Sequence, residues 1–128
     1  MEIIIKLLVS FLFGGMSLFS FGFAIALLKQ MEISEARKII RSTFPMYYKL
    51  VIIVSIFSSL ISAPVNTFIS LSMAGISITT LYARQVLMHQ INAATDSKNT
   101  KLFKQLHTVS VIIQLLQIGL LGYWIATL

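Results

Sequence analysis

The chain has 128 residues, 57% of them hydrophobic and 11% charged, where an ordinary soluble domain carries roughly 25% charged residues. No soluble fold hides that much apolar surface in so short a chain, and one domain fills its length. It has no cysteine, which excludes disulfides and thiolate metal sites, and its net charge of +6 comes from cations flanking apolar runs, so lipid headgroups explain it better than nucleic acid.

Runs free of Lys, Arg, Asp and Glu extend over 7–28, 50–83 and 105–128. About 20 apolar residues cross a bilayer, so the outer runs make one span each and the middle run makes two. Helix 1 is expected over 3–28. Ala24 and Ala26 form an A-x-A pattern, but Glu2 beside Lys6 and a long apolar run speak against a cleaved leader and for a retained span. Ser10, Gly14, Gly22 and Ala26 fall on one i, i+4 line, which predicts a face for close helix packing.

The next segment carries charge and a helical pattern together. Ser34 is a candidate cap, Glu35 suits a first turn, and Ala36, Ile39 and Ile40 lie opposite Lys38 and Arg41, which predicts an amphipathic helix over about 34–43 on the membrane surface. Proline is welcome in a first turn, so helix 2 is expected to start at Pro45 and run to 63. Pro64, Asn66 and Thr67 then break the apolar run into a hairpin, a single kinked helix across 50–83 being the alternative. Helix 3 is expected over 67–94 and helix 4 over 100–128, with the turn-like Thr95 to Asn99 between them.

Charge also sets the orientation. Lys29, Arg37, Lys38, Arg41, Lys49, Arg84, Lys98, Lys101 and Lys104 fall on one side of the spans and Lys6 alone on the other. The positive-inside rule therefore predicts cytoplasmic loops at 29–49 and 84–104, with both termini outside. Tyr47, Tyr48 and Tyr82 then sit at the inner interface and Tyr123 and Trp124 at the outer one, as membrane anchors.

Polar residues within apolar helices are the remaining signal. His107, Ser110, Gln114 and Gln117 make one stripe on helix 4, and Tyr82, Gln85, His89 and Asn92 make a similarly spaced stripe on helix 3. Such stripes face the bundle interior or a hydrated cavity, and antiparallel packing would bring His89 level with His107. Interhelical hydrogen bonding is the simplest reading of them. The alternatives are a solute or ion path, or a metal or haem site on the two histidines. Enzyme chemistry is poorly supplied: Glu2, Glu32, Glu35 and Asp96 are all terminal or in loops, and no G-x-S-x-G, Walker or H-E-x-x-H pattern occurs. The serines of helices 2 and 3 (Ser55, Ser58, Ser59, Ser62, Ser70, Ser72, Ser77) read as close-packing residues.

A first span containing Gly14-Gly15, Phe44-Pro45-Met46-Tyr47-Tyr48 opening the second, and Phe103 to Gln114 with His107 and Ser110 opening the fourth resemble the small four-span family named after transmembrane protein 205. The resemblance covers essentially the whole chain in order. It implies a membrane domain of unknown function and singles out Phe44, Pro45, Tyr47, Phe103, His107 and Ser110. Two positions depart from that family: Gln114 stands where it usually has Asn, and His89 where a Pro is expected. The shared feature is then His107 alone, hydrogen-bonded to Tyr47, Ser110 or a backbone carbonyl.

The resulting expectation is an all-α integral membrane protein, an up-down four-helix bundle of the bacterial inner membrane with a surface helix between spans 1 and 2. Its expected role is non-enzymatic: packing with its own copies or another membrane protein, or binding or moving a small solute, with no cofactor. The alternative is a haem- or metal-binding redox subunit using His89 and His107. The candidate polar cluster is His107, Ser110, Gln114, Tyr47, Pro45, Phe44, Phe103, Arg84 and His89.

Overall fold

The computed structural model describes residues 2–128, and no strand occurs among them. Four long helices follow one another: α1 (Glu2–Gln30), α2 (Ile33–Ser62), α3 (67–96) and α4 (Thr100–Thr127). Of these, α1, α2 and α4 are long and apolar enough to cross a membrane. Ser70, Ser72, Ser77, Thr79, Thr80 and Arg84 dilute the apolar run of α3, which stands outside that group.

The short connections are set by local chemistry. Ala63 to Asn66 turn the chain from α2 into α3, with the Val65 and Asn66 amides donating to the Ser62 carbonyl at 3.0 and 2.8 Å. The Asn66 side chain then caps α3 by accepting from the amides of Phe68 and Ile69, two donors that a helix start leaves without partners. At the opposite end Lys98 adopts a left-handed conformation (φ 58°), and the Asn99 amide bonds back to the Ala94 carbonyl at 2.9 Å, a Schellman-type stop. Asn99 caps α4 through the Leu102 amide.

Two expectations about α2 are corrected. Ser34 does not cap it, because the helix begins at Ile33 after Glu32. Nor is there a separate surface helix over 34–43 or a fresh start at Pro45: α2 is continuous from Ile33 to Ser62, with Pro45 in its interior. Proline removes one helical hydrogen bond, and neighbouring Ser and Thr hydroxyls or another helix can re-satisfy the exposed groups. Here the bond removed is the one to the Arg41 carbonyl, four residues back; Ser42 and Thr43 donate to the Ile39 carbonyl at 2.9 and 2.5 Å, and Arg84 on α3 donates through Nε to the Pro45 carbonyl at 3.1 Å, tying the proline turn to α3. The charged segment is thus a direct continuation of α2.

The core is built from one line on each helix. Ile5, Val9, Leu12 and Met16 of α1, Val51 of α2, Ile69, Met73, Ile76, Ala83 and Leu87 of α3 and Leu121 of α4 are buried together. On α1 this line excludes the small residues: Ser10, Gly14, Gly22 and Ala26 are all exposed, so the face predicted to pack closely points away from the other helices. Close approach occurs elsewhere, at Gly122, where a Cβ would stand 3.2 Å from the Phe13 ring.

The α2–α3 seam is made of hydroxyls. Ser59 and Ser70 each donate to the other's carbonyl at 2.8 Å, and the hydroxyls of Ser55 and Ser77 meet at 2.6 Å. Ser55, Ser58 and Ser62 are fully buried and bond back to carbonyls of their own helix. Small side chains let two backbones approach in a way leucine would prevent, which is how helices adhere where burial of apolar surface gives no drive.

Arg41 joins the far ends of α2 and α3. Its guanidinium donates two bonds to the Asp96 carboxylate, at 2.8 and 2.9 Å. The Arg41 hydrogen bonds hold the Asp96 carboxyl below its usual pKa. A depressed folded-state pKa means the contribution is present above the unfolded value of about 3.9 and lost as pH falls through the folded one. Melting temperature should therefore drop between about pH 4 and more acidic conditions, and Asp96→Asn should flatten that limb. An unchanged acid limb in the variant would show that the pair is not its source. Both side chains are about half exposed, so the effect is small.

Candidate functional site

Two of the helices widen locally by one residue per turn: Leu18–Phe23 in α1 and Ala83–Leu87 in α3 form π-helical turns. Such turns are rare, re-aim the side chains beyond them, and occur often at functional sites. Both lie beside the same cavity, of about 640 Å³, enclosed by the second half of α1, the first half of α2, the second half of α3 and the first half of α4. That volume is within the range of roughly 300–1,000 Å³ typical of small-molecule pockets.

The cavity has three chemically distinct zones. Arg37, Lys38, Arg41 and Ser34 of α2, with Asn92 and Thr95 of α3, surround its charged end. Phe21, Leu28, Phe44, Leu87 and Ile91 form apolar walls. The inner end is polar again, where Ser20, Tyr48 and Gln114 meet. Ser20 donates to the Gln114 side-chain carbonyl and lies 3.3 Å from the Tyr47 hydroxyl, while the Gln114 amide donates to the Tyr48 hydroxyl at 3.5 Å. Among the described residues no buried side-chain polar atom lacks a partner, so this inner cluster is complete in itself. Phe19 stacks on Tyr47 at 4.3 Å and packs edge-on against Phe44 at 5.1 Å, fixing the aromatic layer behind it.

The close packing of α1 on α4 is confined to Glu2–Ser17. Beyond it the backbones of the two helices part, bridged by the Ser20–Gln114 side-chain bond, and Phe21, Leu28 and Val111 line the cavity while remaining about 40% exposed (42%, 45% and 37%). The cavity therefore opens sideways between α1 and α4 as well as toward its charged end. A second, more open groove of about 760 Å³ lies between α3 and α4 at the other end of the molecule. No charged residue lines it, and its one amide, Gln117, is taken up by Thr79 at 2.7 Å and Thr80 at 3.0 Å.

The structure brings together Phe44, Phe103, His107, Ser110 and Gln114 of the expected cluster on the cavity wall. Tyr47 stands just behind it, bonded to Ser20, and Arg84 is engaged with the Pro45 carbonyl. His89 is placed differently: it is exposed and outside the lining, while Tyr82 and Gln85 also stand outside it. The helix 3 stripe thus does not meet the helix 4 stripe, apart from Asn92. His107 makes none of the hydrogen bonds expected of it and lies flat against Phe103 instead, with ring centres 5.6 Å apart and planes 6° from parallel. The residues that sequence reasoning missed as site members are Ser20, Arg37, Lys38, Arg41 and Tyr48. Their spacing held a signal, since Arg37, Arg41, Phe44 and Tyr48 fall at i, i+4, i+7 and i+11 on one helix face.

A family model described as a domain of unknown function, DUF4149, matches residues 7–100. The chain belongs to that family. The DUF4149 match takes in α1 from Leu7, all of α2 and α3, and hence the cationic and aromatic walls of the cavity; it ends at Thr100, where α4 begins. The match is to DUF4149 and does not by itself link the chain to the family named after transmembrane protein 205; Phe103, His107, Ser110 and Gln114 lie outside the matched residues. No curated protein and no solved structure matches this chain.

Proposed function

We propose that this DUF4149 protein is a non-enzymatic integral membrane module that holds a small solute in the cavity between its four helices. The single observation that carries the reading is that cavity, with apolar walls between a cationic end and a closed polar inner end. All four helices span a bacterial inner membrane in up-down order, α3 through its 67–83 portion, and the cationic ends of α2, α3 and α4 face the cytoplasm. The clustering of Lys and Arg at that end supports this orientation. The kinship proposed with the four-span proteins named after transmembrane protein 205 rests on the sequence pattern of Phe44, Pro45, Tyr47, Phe103, His107 and Ser110.

The absence of cysteine from the chain makes a direct test clean. Single variants Val65→Cys, Ser97→Cys and Ser110→Cys are treated with a water-soluble maleimide in intact cells and in inverted membrane vesicles. Val65→Cys should label in intact cells, and Ser97→Cys and Ser110→Cys only in inverted vesicles. Labelling of Ser97→Cys in intact cells would reverse the orientation. A Ser110→Cys thiol unreactive from either side would mean a closed cavity and would sink the solute reading.

A further inference from the structure

We propose that the cavity binds an acidic amphiphile, a molecule with one anionic carboxylate or phosphate head and an apolar acyl tail, with the head at Arg37 and a tail between α1 and α4. This rests on the solute-binding reading and names its ligand class. Of the three cations at the charged end, Lys38 lies 3.8 Å from Glu35 and Arg41 is held by Asp96, whereas Arg37 has no acidic partner among the described residues. One unneutralised guanidinium suits one anionic head, to which it can donate in a bidentate manner. A polyanion would need several such groups, and a neutral or cationic ligand would gain nothing from this end.

Inward from Arg37 the wall changes character. Arg37, Arg41, Phe44 and Tyr48 share one face of α2, so the surface passes from cationic to aromatic over about 16 Å at 1.5 Å per residue. Phe21, Leu28, Leu87 and Ile91 supply apolar wall along that distance, with His107 and Ser110 of α4 as polar groups beside it. At the inner end Ser20 bonds Gln114 and Gln114 bonds Tyr48, and no buried side-chain polar atom among the described residues lacks a partner, so no buried polar group there requires one from a ligand. An apolar terminus fits there. The sideways opening at Phe21, Leu28 and Val111 supplies an entry through which a tail can pass directly from lipid.

The shared chemistry has two natural sources, a free fatty acid and an anionic phospholipid. The test uses the full chain carrying Ser110→Cys in dodecyl maltoside, reading both melting temperature and maleimide labelling rate. Laurate, dodecanol and dodecylamine are compared at equal concentration, as are phosphatidylglycerol and phosphatidylcholine. Laurate or phosphatidylglycerol should raise the melting temperature and slow labelling, with dodecanol, dodecylamine and phosphatidylcholine at least about tenfold weaker, as expected for loss of a charge-assisted hydrogen bond. Arg37→Gln should erase the preference for the acid, and since Arg37 is exposed the variant keeps its fold. A larger response to laurate identifies a free acid as the source, and one to phosphatidylglycerol a lipid. Equal responses to laurate and dodecanol, an undiminished preference in Arg37→Gln, or no protection by any anion while Ser110→Cys still labels would overturn the proposal. That last result leaves the cavity reading standing, whereas an unreactive Ser110→Cys removes both.

Discussion

Ser55→Leu is expected to destabilise the protein by about 2–6 kcal/mol, the sum of overpacking and of leaving a buried hydroxyl unpaired. Ser55 is completely buried, bonded to Val51 at 2.6 Å within α2 and to the Ser77 hydroxyl at 2.6 Å across the seam. A leucine there must push α3 away along the whole Ser55–Ser77 and Ser59–Ser70 contact, because interiors deform only slightly. Ser55→Ala removes the same hydroxyl without added bulk. Interhelical hydrogen bonds in membranes average about 0.6 kcal/mol and reach about 1.7, so the alanine variant should lose far less. Unfolding in mixed detergent micelles, followed through the one tryptophan, Trp124, whose indole donates to Ser72 of α3 at 3.0 Å, separates the two variants. Equal losses would show that hydrogen bonding, and not close approach, holds α2 to α3.

The same seam shows what the sequence makes legible. Seven serines in two adjacent apolar helices stand out against hydrocarbon, and the inference of a close-packed interface needs only their size. The helix breaks at 63–66 and 97–99 are equally readable, since Pro64, Asn66 and Asn99 act through local backbone chemistry. The failures have a common cause. Residue type alone assigns an inward face to the small-residue line of α1 and to the polar stripe of α3, yet the first faces outward and the second, Asn92 apart, stays out of the cavity. The rule that polar groups turn inward holds where hydrocarbon is the alternative. Tyr82, Gln85 and His89 flank or follow Arg84, at the charged end of the chain where water can satisfy them, so nothing forces them in.

The π-helical turns cannot be read from sequence, because no residue type specifies them and their effect is a shift of phase. They matter to the site all the same. The turn at Leu18–Phe23 carries Ser20 to Gln114 and Phe21 to the cavity wall; that at Ala83–Leu87 places Ala83 and Leu87 in the lining and Arg84 against α2. Composition and spacing on α4 thus reveal half of the candidate site. The cationic half is hidden as long as Pro45 is taken to end one helix and start another. A surface helix over 34–43 would point Arg37 and Arg41 along the membrane, away from Phe44 and Tyr48.

Pro45→Ala tests that point, and it is expected to make the protein more stable and its cavity less competent. An interior proline costs about 3 kcal/mol relative to a residue that keeps its N–H. None of the Ser42, Thr43 and Arg84 bonds reaches the Arg41 carbonyl that the proline leaves without an N–H, and the Arg84 bond to the residue 45 carbonyl is open to alanine as well, so a net gain of about 1–3 kcal/mol is expected on alanine substitution. Stabilising changes at functional positions commonly reduce activity. Alanine would let the residue 45 amide bond the Arg41 carbonyl and tighten the turn that sets Arg37 and Arg41 relative to Phe44 and Tyr48. The melting temperature should rise, while labelling of Ser110→Cys slows and its protection by laurate weakens. A lower melting temperature would mean that the Arg84 contact depends on the proline and outweighs the recovered helical bond. A higher one with unchanged labelling would show that the cavity's shape is set by the π-helical turns of α1 and α3 alone. Either result locates the source of the cavity, because Pro45 and the two π turns are the only interruptions of regular helix among the described residues that surround it.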